Sequence, residues 1–154
     1  MTTILFTILL VFTLPDGPTS SRPNFSGTWR ANFAKSKLQI KRPDSTVFTI
    51  EHREPRFKLC RTHTFEGKSD TWGIELTTDG KEVVLHEAQR TIRARLTWQG
   101  DALVFDVKLE LPGGPGSDVV RYCLSRDGKT FSATERYRDA QFSYENVWIF
   151  DRTK

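Results

Sequence analysis

From Pro23 onward the chain alternates. TVFTIEH, FKLCRTHTF, TWGIELTT, KEVVLHE, TIRARLTW, ALVFDVKLEL, DVVRYCLS, KTFSATERY and FSYENVWIF place apolar side chains at every second residue, the period of a strand with one buried face. Turn signals separate them: Glu54-Pro55, Glu66-Gly67, Asp79-Gly80, Gly100-Asp101 and Asp127-Gly128. Asp-Gly-Lys occurs in TTDGKEV and again in SRDGKTF, where a tight hairpin wants residues of positive φ. With the segment around Trp29 counted as a strand, the strands follow one another by short connections, so sequence neighbours are spatial neighbours. An open sheet of that length would expose two long edges. The expected fold is therefore all-β, an up-and-down antiparallel meander closed into a barrel of about 8–10 strands. No segment keeps a helical period for long; ANFAKSKLQIKR comes nearest, stops at Arg42-Pro43, and has room for one helical turn. PGGPG at 112–116 reads as the loosest connection. A strand follows it rather than a helix N-terminus, so it is not a phosphate loop.

A chain of 154 residues suffices for one domain with a core. Its opening differs from the rest. ILFTILLVFTL, residues 4–14, is uncharged and leads into PDGPTSSRP; the run is short for a bilayer span and fits a signal-peptide core. No Lys or Arg precedes it and no A-x-A site follows, but Thr19 and Ser21 are small enough for cleavage before Arg22. Residues 1–21 are thus expected to be a signal peptide and 22–154 the barrel domain, exported to the periplasm or secreted, with no stable membrane span. The rival is a short uncleaved anchor. Asp16 is the leader's only charge, so cleavage would raise the net charge by one from +4. Export and the interleaving of bases with acids (KLE, ERYRD) argue against a nucleic-acid partner.

Several stretches resemble a known group. Gly27-Thr28-Trp29 opening the first strand, followed by a barrel meander, resembles the calycin superfamily of lipocalins, fatty-acid-binding proteins and relatives. FSGTWRANFAKSK, TIEHREPRFKLCRTH, TTDGKE, WQGDALVF and LSRDGKTF together resemble exported bacterial lipocalin-like barrel proteins, which implies a fold and leaves the activity open. The resemblance implies that Trp29 plugs the closed end of the barrel, with Arg152 of the last strand as the partner above its ring. The chain is less similar to fatty-acid-binding proteins. Their two-helix lid has no room in the dozen or so residues after strand one, and their Arg-x-Tyr carboxylate clamp is replaced by NVWIFDR.

Alternation also assigns faces, given the register. It points Trp29, Ala31 and Phe33 inward, then Phe57 and Leu59, Trp72 to Leu76, Val83 and Leu85, and Ile92 to Trp98 on alternate positions. Leu103 to Leu109, Val120 to Leu124, Phe131 and Ala133, and Tyr144, Trp148 and Phe150 complete the set. The same parity carries Arg61, His63, Glu135, Tyr137 and Asn146 inside, where a charge must be paired, solvated or used. One reading pairs Arg61 with Glu135 across the lumen or leaves both wet at the mouth. The other makes Arg61, His63, Glu135 and Tyr137 the polar groups of a ligand site walled by Trp72, Trp98, Phe105, Tyr122 and Trp148. On that second reading Arg61→Ala weakens ligand binding.

Cys60 and Cys123 fall on the outer face of the third and eighth strands, on opposite walls, so no disulfide is expected. His52, His63 and His86 lack ligand spacing and read as surface or rim residues; no metal site and no cofactor is expected. Arg93 and Arg95 beside Asp106, Lys108 and Glu110 read as an exposed cross-strand charge ladder. Asn24-Phe25-Ser26 is formally a glycosylation sequon, of consequence only in a eukaryotic secretory route. Nothing marks an activated nucleophile, so no catalytic residue is assigned. The function expected is an extracytoplasmic carrier for a small hydrophobic or amphipathic molecule. The alternatives are a filled-barrel scaffold at the envelope and, by fold analogy alone, an isomerase or lyase using Glu135, His63 and Tyr137. Oligomeric state is not specified.

Overall fold

The computed structural model describes residues 22–153. Ten strands follow in chain order: β1 (Gly27–Ala31), β2 (Ser45–Arg53), β3 (Arg56–Phe65), β4 (Lys68–Thr77), β5 (Val83–Glu87), β6 (Arg90–Gln99), β7 (Ala102–Leu111), β8 (Gly114–Leu124), β9 (Thr130–Arg138) and β10 (Ser143–Arg152). All pairings are antiparallel, in the order β4-β3-β2-β1-β10-β9-β8-β7-β6-β5. The meander closes where β1 meets β10, with Trp29 opposite Arg152. The expected up-and-down barrel is present. The leader and its cleavage site lie outside the described residues. No helix among those described is long and apolar enough to cross a membrane.

The tight turns follow their residues. Glu66 and Gly67 both take positive φ, 50° and 75°, the requirement of the type I′ hairpin between Phe65 and Lys68. The 112–116 stretch is not the loosest connection. Pro112-Gly113 is a two-residue turn between Leu111 and Gly114, and Pro115 and Gly116 pair with Glu110 and Leu109 as part of β8. Pro115 fits because β9 joins β8 only from Ser117 onward, so its missing N–H interrupts no ladder on that side. ANFAKSKLQIKR holds a single turn closed by the Ser36 N–H on Asn32 O at 3.1 Å. It then bridges Val147 through Lys37 and lays Phe33, Leu38 and Ile40 against the core.

Closure has one gap. β4 and β5 end the sheet order without pairing. Asp79-Gly80, expected to fold KEVVLHE back on TWGIELTT, docks on β6 instead: the Gly80 N–H donates to Leu96 O at 3.0 Å and Asp79 bridges Thr97. Asp79 Oδ1 accepts the Thr77 hydroxyl at 2.6 Å and the Lys81 N–H at 3.1 Å, a local turn that leads the chain away from the β4 ladder. The same device recurs at residues 125–129, with Asp127 accepting from Ser125 and Lys129 at the same two distances. There it closes the β8–β9 hairpin. Higher up the gap, Trp72 Nε1 of β4 reaches Glu87 Oε1 of β5 at 3.0 Å.

The lumen is solid at one end. Phe131 stacks on Phe150 at 4.6 Å and meets Trp29 edge-on at 4.9 Å, while Phe48 lies 4.5 Å from Phe150. Phe25, ahead of β1, is fully buried in the same layer and touches Phe131 and Trp98. It belongs to no alternating run, so parity could not place it. On the outer face, Arg93 pairs with Glu110 and Glu82, and Arg95 with Glu82. Glu82 thus completes the ladder expected there. Cys60 and Cys123 are free, partly buried, and five places apart in the sheet order.

Candidate functional site

Beyond the aromatic layer the lumen opens into a cavity of about 210 Å³. It lies toward the barrel end that carries the β3–β4, β5–β6 and β9–β10 turns. Each strand presents the side chains that alternation directs inward. Arg61 and His63 come from β3, Trp72 from β4, Phe105 from β7, Tyr122 from β8, Glu135 and Tyr137 from β9, and Trp148 from β10. These are the residues the sequence had gathered, with one exception.

Trp98 is not in the cavity. It sits at the closed end, where its Nε1 donates to Glu54 Oε1 at 2.8 Å and its ring lies 5.9 Å from His52. His52 is likewise no surface residue: it is 6 % exposed. Its Nδ1 accepts the Phe25 N–H at 3.3 Å, which fixes the proton on Nε2, the nitrogen facing Glu54 Oε1 at 3.0 Å. The Thr78 hydroxyl adds a bond to Glu54 Oε2 at 2.7 Å. Desolvation pushes the Glu54 carboxyl up, but the bonds from Thr78, His52 and Trp98 outweigh it and hold the group below its ordinary value. One carboxylate thereby ties the β2–β3 turn to the β4–β5 connection and to β6. Trp98→Phe is expected to lower the unfolding free energy by about 1–2 kcal/mol, the cost of one charge-assisted hydrogen bond, and to leave the affinity of any cavity ligand unchanged. Chemical denaturation and a ligand titration check the two halves.

Trp29 occupies the base. It is fully buried, donates through Nε1 to Phe25 O at 2.9 Å, and carries the Arg152 guanidinium 4.0 Å above its ring. Arg152 also donates to Ser26 O and Gly128 O.

The polar groups of the cavity do not pair as the lumen-spanning reading required. Arg61 Nη2 turns to Asp70 Oδ2 on the neighbouring strand at 3.4 Å, with its guanidinium 5.7 Å from the Trp72 ring. Glu135 Oε2 accepts Trp148 Nε1 and Asn146 Nδ2, each at 2.8 Å. His63 shares a 2.8 Å hydrogen bond with Thr46 Oγ1 and stacks on Trp148 at 5.8 Å. Burial, reinforced by the Arg61 charge, pushes the His63 imidazole down to about 4, so it is neutral at pH 7. The Tyr137 hydroxyl points out to Asp139 Oδ2 at 2.7 Å. Burial and that bond push the phenol up to about 12.

Sequence reasoning missed Asp118, which lines the same cavity from β8. It opens DVVRYCLS at the parity of Val120 and Tyr122, so starting the inward set at the first residue of that run would have found it. No described donor reaches the buried Asp118 Oδ1, and Arg61 Nε is buried without a partner as well. Burial and the neighbouring Glu135 push the Asp118 carboxyl up to about 7, against the opposing charge of Arg61. Arg90, at the rim on β6, was missed because its run was started at Thr91. It donates to Glu87 at 2.6 Å.

No family model matches the chain, and no curated protein does. Among solved structures, secretory abundant heat soluble protein 4 from Ramazzottius varieornatus matches with a TM-score of 0.59 at 13% identity, over 84% of this chain and 95% of that one. A Schistosoma mansoni fatty acid binding protein in complex with arachidonic acid gives 0.57 at 15% identity, over 90% and 100%. Zebrafish ileal bile acid-binding protein complexed with cholic acid gives 0.53 at 14%, over 84% and 98%. The fold is calycin-like. What the calycin-like barrels share at such identities is the path of the backbone. The differences from fatty-acid-binding proteins noted in the sequence stand beside that path. Among the described residues no helix follows β1, and β10 reads SYENVWIFDR without an Arg-x-Tyr pair.

Proposed function

We propose that this protein binds one small, largely apolar molecule in the upper half of its barrel and acts as a carrier or store outside the cytoplasm. The observation that carries the reading is the divided lumen: a packed aromatic base beneath an open, aromatic-walled cavity that retains two buried polar atoms without partners. A barrel of this size either fills with side chains or holds one small ligand, and here each half takes one course. Apolar walls with a few convergent polar groups are what a small-molecule site needs. The solved barrels in complex with arachidonic acid and cholic acid support the use of such a lumen for amphipathic molecules. Export is supported by the uncharged apolar leader followed by small residues. The acid–base alternative is disfavoured by geometry, because His63 Nδ1, Glu135 Oε2 and the Tyr137 hydroxyl are each turned to a structural partner: Thr46, Trp148 with Asn146, and Asp139 respectively.

Native mass spectrometry of the protein from its own host tests the proposal. A non-covalent adduct, lost on denaturation, is expected, and the denatured mass is expected to begin at Arg22. A clean apo mass together with no enhancement of the neutral dye N-phenyl-1-naphthylamine would overturn the binding reading. A mass retaining residues 1–21 would overturn the processed, exported form.

A further inference from the structure

We infer that the molecule this cavity takes carries a protonated amine on a compact apolar body. The inference rests on the small-molecule reading above and gives that reading its ligand class.

Charge balance inside the cavity comes first. Two carboxylates, Asp118 of β8 and Glu135 of β9, face it from adjacent strands, where Glu135 lies opposite Val120 and Asp118 opposite Tyr137. Neither forms an ion pair in the structure among the described residues. The cations that border the cavity are already engaged: Arg61 with Asp70 and Arg90 with Glu87. His63 is neutral. The free capacity of the interior is therefore for positive charge.

The hydrogen-bond balance points the same way. Glu135 Oε2 is satisfied by two donors, whereas Asp118 Oδ1 has none and is shut off from water. A buried acceptor without a donor is costly, and an ammonium N–H supplies both the donor and the countercharge. A fatty-acid carboxylate would do the reverse, bringing a further acid beside Asp118 and Glu135. A buried N–H on the opposite wall without a partner, Arg61 Nε, suits a neutral acceptor on the same molecule, since Nη2 of that guanidinium is turned to Asp70.

The walls agree with this. Trp72, Trp148, Tyr122, Tyr144 and Phe105 surround the space, and aromatic faces attract a desolvated cation. Size sets the last limit. About 210 Å³ lies below the roughly 300–1,000 Å³ of pockets for drug-sized ligands, so a long acyl chain does not fit within the cavity as it stands.

The test uses three probes of matched size: 2-phenylethylamine, 2-phenylethanol and 3-phenylpropanoate, each titrated calorimetrically into the protein at pH 8. The amine is expected to bind at least about tenfold more tightly than either of the others, a discrimination of the size one charge-assisted bond gives. Asp118→Asn should cut the preference for the amine over the alcohol to about threefold or less; Glu135→Gln provides a second, independent reduction. Equal or tighter binding of the carboxylate or the alcohol overturns the amine class and leaves the small-molecule reading intact. An amine preference that both variants retain overturns the assignment to these two acids. If N-phenyl-1-naphthylamine binds and none of the three probes does, the ligand class is wrong. If nothing binds, including the dye, both readings fall.

Discussion

Replacing Trp29 with Ala is expected to remove about 3–5 kcal/mol of unfolding free energy, the range for deleting a fully buried aromatic, and to lower Tm by roughly 10–20 °C. Three losses coincide at this position. The void opens beside Phe131 and Phe25, the Phe25 carbonyl loses its indole donor, and the Arg152 guanidinium loses the ring beneath it. Against a total stability of about 5–15 kcal/mol for a domain, the loss is roughly a fifth or more. Arg152→Ala should cost less, about 1–2 kcal/mol, because it removes a cation–π contact and bonds to two exposed carbonyls but leaves the base packed. Trp29→Phe should fall between. Urea denaturation of the three variants settles the order. A loss below about 1 kcal/mol for Trp29→Ala would mean that the base reseals around the gap and that the ring is not what closes it.

The second large effect is a gain. Asp118→Asn is expected to stabilise the protein at pH 8 by about 2–4 kcal/mol, with the advantage fading toward pH 4. The sign follows from linkage. Burial lifts the Asp118 carboxyl from an ordinary 3.8 to about 7, so between those values the folded state holds a proton that the unfolded state has released. Stability from this group is full below about pH 4 and is lost as pH rises through 7. A shift of that size has a ceiling of about 4 kcal/mol at 1.36 kcal/mol per unit. The groups facing Asp118 modulate it. Glu135 raises the carboxyl and Arg61 lowers it, while Tyr122, Tyr137 and Tyr144 stay protonated across the window. His63, on β3, ionises only near pH 4, and the Arg90 side chain lies at the β6 rim of the same cavity. Asn keeps the shape and drops the charge. Denaturation midpoints at pH 4.5, 6 and 8 read the effect directly; a variant less stable than the parent at pH 8 would show that the Asp118 carboxylate has a partner in solution. The bare carboxylate also links the two roles of the residue, because a ligand that neutralises it restores the stability lost at high pH.

Alternation read the walls of this barrel well because the side-chain period of two is set by the backbone itself. It brought Arg61, His63, Glu135, Tyr137 and the aromatic liners Trp72, Phe105, Tyr122, Tyr144 and Trp148 inside, from strands far apart in the chain. It could not give height along the axis. Trp98 and Trp148 lie on one rung of the ladder, through Leu103, Tyr122 and Ala133, yet one sits in the base and the other in the cavity. Strands in a barrel tilt by about 35–45°, so four strand spacings of roughly 4.8 Å carry a rung on the order of 12 Å along the axis. Shear is a property of the closed sheet and is absent from any single strand. The two Asp-Gly turns teach a similar lesson. Their local hydrogen bonds are alike, but Thr78, just before the first Asp-Gly, is drawn to Glu54 and the chain leaves β4, whereas Arg126, at the matching place in the second, has no such tether and the hairpin closes. His52 and Phe25 were hidden because each is positioned by the other's backbone or ring across 27 residues.

The gap between β4 and β5 gives the molecule the mechanics of a slit tube. A continuous cylinder resists widening because every hoop around it must stretch, whereas a slit one opens by slight bending distributed over its whole wall. The restraint across the slit on the cavity side is the indole-to-carboxylate bond from Trp72 to Glu87, braced by Arg90. Radial compliance is therefore concentrated beside the wall that Trp72 forms, far from the stiff aromatic base. An increase in girth there strains one side-chain contact and leaves every strand ladder whole.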